Sequence, residues 1–267
     1  MDFLVHPPSF WTRSKNGELI LYMDKPFYMM PCAGLANRIR SMVSAMCAAQ
    51  QMGRRLHVLW RYEPHICTIP FHLIFGKTPE WMVVDDIVGY PTHMPWKEIF
   101  TEDDWNTYAA DSALYVKSHQ IFYKKGWTEM LRSLNFHDTI LKEVERIMGG
   151  KEMVGVHIRR TDHRKSIESS PSHEFWKEME LHDTCFYLAT DDMGERAAAC
   201  ERFGERIITG PKTLLGRNSP DGCWGAMVDM ICLSRCSLII GSYASSFSEV
   251  AAAIGNVPLK IAAFNKA

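Results

Sequence analysis

The sequence predicts an α/β protein built on parallel sheets, and three observations carry that prediction. Residues 27–60 form a strand, helix, strand unit whose helix opens on the glycine-bearing turn Pro31-Cys32-Ala33-Gly34-Leu35-Ala36. Strand-like and helix-like runs alternate through the second half of the chain. Runs such as Ser237-Leu238-Ile239-Ile240 are apolar on both sides, as expected where helices cover both faces of a sheet.

In chain order, Phe27-Tyr28-Met29-Met30 reads as the first strand and 37–52 as the helix after it, ended by Gly53. Leu56-His57-Val58-Leu59-Trp60 is the next strand. Residues 61–127 scatter proline, histidine and aromatic rings, and offer short strands at Met82-Val83-Val84 and Leu114-Tyr115-Val116. Apolar residues at Ile140, Leu141, Val144, Ile147 and Met148 space an amphipathic helix over 135–148, which Gly149-Gly150 stops. That glycine pair sets the expected boundary between an N-terminal domain, 1–149, and a C-terminal domain, 150–267. The C-terminal domain then reads strand 153–158, strand 185–189, helix 193–203, strand 206–209, helix 222–236, strand 237–241, helix 246–255 and strand 257–262, an order that is Rossmann-like.

Composition limits the function classes. Lys plus Arg number 30 against 31 Asp plus Glu, so no global field draws the protein to nucleic acid or an acidic membrane, and any anion is bound locally. Hydrophobic residues make up 46% of the chain, enough for well-built cores. Cysteines 32, 47, 67, 185, 200, 223, 232 and 236 fall mostly in apolar runs without a Cys-x-x-Cys pair, and read as reduced core residues. The chain opens on no basic segment followed by an apolar stretch, and no apolar run approaches the roughly 18 residues of a membrane span, so the expected location is cytoplasmic.

Candidate chemistry gathers where strands end and helices begin. His157-Ile158-Arg159-Arg160-Thr161-Asp162 follows the run Met153-Val154-Gly155-Val156. Ligands of α/β sheets sit beyond the carboxyl ends of strands, and two guanidinium forks there suit a diphosphate, hence a nucleotide-sugar. The competing role for either arginine is a structural ion pair. Asp191 and Asp192, after the strand at 185–189, suit ribose or base hydroxyls or, equally, a helix cap. Ser245, Ser246, Phe247 and Ser248 open the helix at 246–255, where hydroxyls and backbone N–H groups receive phosphate oxygens or cap the helix. Gly34 and Asn37 lie at the first helix, with Asn37 either reaching a ligand or capping its own helix. His157 reads as an orienting core histidine rather than a metal ligand. Asp229, inside the apolar stretch Met227-Val228-Asp229-Met230-Ile231, needs a partner, expected to be an arginine or a ligand hydroxyl.

At these residues the chain resembles the fucosyltransferase superfamily of the core N-glycan, nodulation and protein O-fucosyltransferases. His157 to Asp162, Tyr187-Leu188-Ala189-Thr190-Asp191-Asp192 and Ser245-Ser246-Phe247-Ser248 resemble its three motifs in order, and Gly34-Leu35-Ala36-Asn37-Arg38 is similar to its amino-terminal motif. The resemblance implies a GT-B architecture of two Rossmann-like domains facing a cleft, with an acceptor-side N-terminal domain and GDP-fucose held mainly by the C-terminal one. It implies Arg159 on the diphosphate with Arg160 assisting, Asp191 and Asp192 on the nucleotide, Asp229 supporting the site, and Ser245 and Ser246 on phosphate. No divalent metal or other cofactor is implied, GDP-fucose being a substrate, and the expected partner is a glycan or protein acceptor. Residues 61–135 carry no recognisable acceptor motif.

The chemistry expected is inverting transfer to an acceptor hydroxyl, with Asp162, Glu168 and Asp191 as candidate bases. Three other readings compete: a transferase for another nucleotide-deoxysugar, a metal-dependent phosphohydrolase using His157, Asp162, His163, Asp191 and Asp192, and a non-catalytic nucleotide-binding homologue.

Overall fold

A computed structural model describes residues 10–13, 19–161, 164–211 and 218–263. By contacts the chain forms two compact units, one of Met1–Glu63 with Phe75–Asn135, the other of Pro64–Ile74 with Phe136–Ala267.

In the first unit the described strands are β1 (Phe10–Arg13), β2 (Leu19–Pro31), β3 (Arg54–Tyr62), β4 (Met82–Val88), β5 (Lys97–Glu98) and β6 (Leu114–Ser118). They order as β4-β3-β2-β6-β5, all parallel, with β1 added antiparallel to β2. Helices α1 (Leu35–Met52), α2 (Glu102–Tyr108) and α3 (Trp127–Arg132) accompany them. β2 starts eight residues earlier than the apolar run at 27–30 suggests, because Asp24-Lys25-Pro26 interrupts its hydrophobic pattern; the register against β3 shifts at the same place, between Met23 and Phe27. α1 likewise starts ahead of Asn37, with Gly34 as its N-cap and left-handed Gly53 closing it. α2 was not expected. It stands on a capping box in which Thr101 accepts from the Asp104 amide and Asp104 accepts from the Thr101 amide.

In the second unit the strands are β7 (Met153–Ile158), β8 (Cys185–Thr190), β9 (Ile207–Thr209), β10 (Leu238–Gly241) and β11 (Leu259–Ile261). They form a parallel sheet ordered β11-β10-β7-β8-β9, which is the Rossmann order, with its topological switch between β7 and β10. Helices α4 (Asp138–Met148), α5 (Arg164–Ser169), α6 (Ser172–Glu180), α7 (Met193–Phe203), α8 (Pro220–Ser234) and α9 (Ser246–Gly255) pack with it. The sequence reading passed from β7 to β8 without a helix. Adjacent parallel strands need a crossover, and α5 and α6 supply it. α4, which ends at left-handed Gly149, groups with this unit, so the contact boundary falls one helix before the glycine pair.

Alternation along β7 sorts its two faces. Val154, Val156 and Ile158 join Phe175, Met179, Phe186, Leu188, Ala199 and Ile240 in one apolar core. Gly155 and His157 point to the other face, where α8 and α9 lie. Gly155 has no room for a side chain there, since a Cβ would stand 2.8 Å from Leu233 and 3.2 Å from the Cys236 sulfur.

Gly255 sets the tightest approach in this unit: a Cβ on it would fall 1.7 Å from the backbone oxygen of Ser234 in α8. Gly255→Ala is therefore expected to lower stability by about 1–3 kcal/mol or more, as overpacking does. A chemical denaturation curve matching that of the unmutated chain would show that α9 does not pack so closely on α8.

Candidate active site

β7 ends where its next amide finds a side chain in place of a strand. The Arg159 amide donates to Ser242 Oγ at 3.0 Å, and that same hydroxyl donates to the His157 carbonyl at 3.1 Å. Ser242 is fully buried at the end of β10, so one hydroxyl closes both strands at the topological switch. One residue further, the Arg160 amide donates to Asp191 Oδ1 at 2.7 Å, and the Thr161 hydroxyl donates to Asp191 Oδ2 at 2.6 Å. Asp191 thus holds the arginine turn from the end of β8.

Arg160 turns its side chain into the protein. Each nitrogen of the Arg160 guanidinium donates to a protein acceptor: Nε to Glu195 Oε1 at 2.6 Å, Nη1 to the Arg159 carbonyl at 3.0 Å, Nη2 to Ser172 Oγ at 3.2 Å. Asp192 is the N-cap of α7 and accepts the Glu195 amide at 2.8 Å. Asp192 therefore plays the capping role that the sequence offered as an alternative to nucleotide contact, while Asp191 holds the arginine turn, a role the sequence did not suggest.

His157 is buried on the face toward α9. Its Nδ1 lies 2.7 Å from Ser248 Oγ, and its ring stacks on Phe247 at 4.7 Å and 28°. Gly241 makes the fit possible, because a Cβ there would meet Ser248 at 2.7 Å. Ser248 and Phe247 are thus spent on orienting the imidazole. Ser245 is different. It occupies the N-cap position of α9 but makes no side-chain cap bond, and its buried Oγ has no hydrogen-bond partner among the described residues. Just before it, Ala244 adopts a left-handed conformation (φ 50°), which turns the chain into the helix. Ser246 stands half-buried in the first turn of α9. An uncapped helix start with an unanswered buried hydroxyl favours an anion.

Asp229 lies apart from this cluster. It accepts from the Tyr187 hydroxyl at 2.5 Å, and Arg196 favours its charged form, so an arginine accompanies it while the side chain it bonds is a tyrosine. Tyr187 stands three residues before the end of β8 at Thr190, roughly 10 Å along the strand. Asp162 lies outside the described residues.

In the first unit Gly34 caps α1 by its backbone and Asn37 follows in the first turn. Asn37 does not cap its own helix, and its buried Oδ1 has no hydrogen-bond partner among the described residues. Arg38 next to it is a structural residue, 0% exposed, donating to the carbonyls of Ala33 at 2.9 Å and Arg61 at 2.6 Å and to Glu63 at 2.9 Å. Ala33, held by it, is left-handed (φ 63°) like Ala244. A cavity of about 270 Å³ lined by Lys97, Tyr108, Asp111 and Tyr115 opens near the start of β6, the opposite end of the sheet from this turn. Among the described residues no three His, Cys, Asp or Glu side chains gather as a metal-binding group, and no helix is long and apolar enough to cross a membrane.

Glu195, Ser172 and Ser242 complete the arginine turn, yet none was a candidate from sequence. Glu195 and Ser172 meet Arg160 only through the fold, 35 and 12 residues away in the chain. Only Ser242, inside the serine-rich turn, carried a local signal.

The chain matches no family model and no curated protein sequence. Its fold is that of solved fucosyltransferases. A NodZ alpha-1,6-fucosyltransferase soaked with GDP-fucose aligns at 17% identity and TM-score 0.64, over 88% of this chain and 94% of that one. The fucosyltransferase NodZ from Bradyrhizobium gives 17% and 0.61, over 85% and 93%. POFUT1 in complex with GDP gives 11% and 0.56, over 90% and 99%. The two parallel α/β units are thus those of the GT-B fucosyltransferase fold that the motifs resemble.

Two buried groups give the second unit a distinctive pH response. Burial pushes the His157 imidazole down to about 4, with Asp191 opposing and Arg159 adding to the shift. Burial pushes the Asp229 carboxyl up to about 7, against the Tyr187 hydroxyl and Arg196. His157 contributes stability that is lost as pH falls from its ordinary 6.5 toward 4, because the unfolded chain then binds the extra proton. Asp229 contributes stability that is present at low pH and lost as pH rises from 3.8 toward 7, because the folded chain then holds the extra proton. Between these limits the two slopes cancel. Asp229→Asn is expected to expose the His157 slope, about 1.4 kcal/mol lost per pH unit on acidification relative to the parent chain. His157→Gln should produce the opposite slope. Denaturation from pH 4 to 6.5 checks both, and parallel curves for all three proteins would refute the assignment.

Proposed function

We propose that this protein is an inverting glycosyltransferase that moves fucose from GDP-fucose to a hydroxyl of a glycan or protein without a divalent metal. The observation that carries the reading is the pairing, at one topological switch, of the Arg159 turn with an uncapped helix start whose Ser245 hydroxyl is buried and unanswered. The likeness of fold to a fucosyltransferase soaked with GDP-fucose supports the choice of donor.

In this reading the acceptor hydroxyl attacks the anomeric carbon as GDP leaves, and negative charge grows on the diphosphate. Arg159 and the start of α9 at Ser245 and Ser246 stabilise that charge from fixed positions, and Arg160 assists by holding the Arg159 backbone; loss of one such donor costs about 10²- to 10³-fold in rate. His157, Phe247 and Ser248 hold the helix start against β7. Asp191 and Asp192 shape the nucleotide side by fixing the arginine turn and α7, and Asp229 supports the sheet face behind it. In the first unit Gly34 leaves the turn open and the Asn37 amide oxygen accepts from a substrate hydroxyl.

Calorimetric titration with GDP in the presence of EDTA tests the reading. The unmutated chain should bind, Arg159→Ala should not, and UDP should bind more weakly than GDP. Ser245→Ala should leave stability unchanged or slightly higher, since it removes an unpaired buried hydroxyl, yet weaken GDP by about tenfold, the worth of one hydrogen bond to a charged group. Absence of GDP binding, or binding that requires a divalent ion, would overturn the proposal.

A further inference from the structure

We propose that Glu195 is a positioning residue for Arg159 and acts through Arg160, an inference that rests on the reading of Arg159 as the diphosphate contact. Arg160 has a side chain only 10% exposed, and its guanidinium is turned into the body of the unit, 5.7 Å over the ring of the core residue Phe175. Glu195 takes its Nε at 2.6 Å. Ser172 takes its Nη2 at 3.2 Å, and the Ser172 hydroxyl donates onward to the same Glu195 oxygen, which closes a ring of three side chains from the β7 turn, α6 and α7.

The remaining branch of the fork does the positioning. Arg160 Nη1 donates to the Arg159 carbonyl at 3.0 Å, while the Arg159 amide donates to Ser242 at 3.0 Å. The backbone of Arg159 is thereby gripped on both sides. Glu195 itself sits in the first turn of α7 with its amide on Asp192, so the anchor is part of a helix and not a mobile arm. A carboxylate at 12% exposure also answers the charge of Arg160 within the protein, which leaves that charge engaged away from a ligand.

Hydrogen exchange on the ligand-free protein and GDP titration, applied to Glu195→Leu, Glu195→Gln, Arg160→Met and the Glu195→Leu/Arg160→Met double variant, test this together. Each is measured below its own melting transition. In Glu195→Leu the amides around Arg159 should exchange faster, and GDP affinity should fall on the order of ten- to a hundredfold, as for a misplaced contact. The double variant should bind no worse than Arg160→Met alone, and Glu195→Gln, which keeps an acceptor for Nε, should recover part of the loss. Unchanged exchange in Glu195→Leu would overturn the inference. So would GDP binding in Glu195→Leu as tight as or tighter than in the parent while Arg160→Met loses it, because Arg160 would then be a ligand contact itself. Faster exchange in Glu195→Leu with no GDP binding by the parent chain would uphold the positioning of Arg159 and remove the ligand reading beneath it.

Discussion

A single hydroxyl decides where two strands stop. Ser242 Oγ receives the amide of Arg159 and donates to the carbonyl of His157, so β7 and β10 end at the same level and part there. A sheet whose strand order reverses at that pair leaves a gap above it, because the connections on either side run to opposite ends of the sheet. Everything distinctive in the second unit follows from that gap. The arginine turn folds over from β7, α9 rises from β10, and Asp191 reaches across from β8 to steady the turn.

Within this frame the polar residues divide by whether the protein itself answers them. Asp191, Asp192, Arg160 and Ser248 each have protein partners at hydrogen-bond distance, and they account for the stiffness of the turn. Ser245 and Asn37 each bury an oxygen without a partner among the described residues. Burying a polar atom unpaired costs stability, and for Ser245, at a helix start in the same unit as the arginine turn, this is the kind of local cost associated with a binding surface.

Legibility in the sequence tracked how local the determining forces are. β7 was readable to the residue because Met153, Val154, Val156 and Ile158 make a mostly apolar run set between the charged residues Glu152 and Arg159. The motif positions were readable because strand ends and helix starts carry short signals. α6 was not, since it buries only Phe175 and Met179 among charged residues, and α2 was not, since its capping box uses aspartate where the common signal is glutamate or glutamine. The partner of Asp229 and the ring around Arg160 were invisible for a different reason. Tyr187 lies 42 residues from Asp229 and Glu195 lies 35 from Arg160, and only the assembled sheet brings them together.

The division of the chain also sets an order on its own synthesis. Pro64–Ile74 belongs by contact to the second unit although it emerges between two stretches of the first. Its Thr68 hydroxyl lies 3.6 Å from the Cys223 sulfur in α8, 155 residues later in the chain. At roughly 5–20 residues per second the ribosome needs about 8–30 s to deliver that partner. Through that interval the contacts that Cys67, Thr68 and Ile69 make with Cys223 cannot form, so this part of the second unit closes only after α8 has been synthesised.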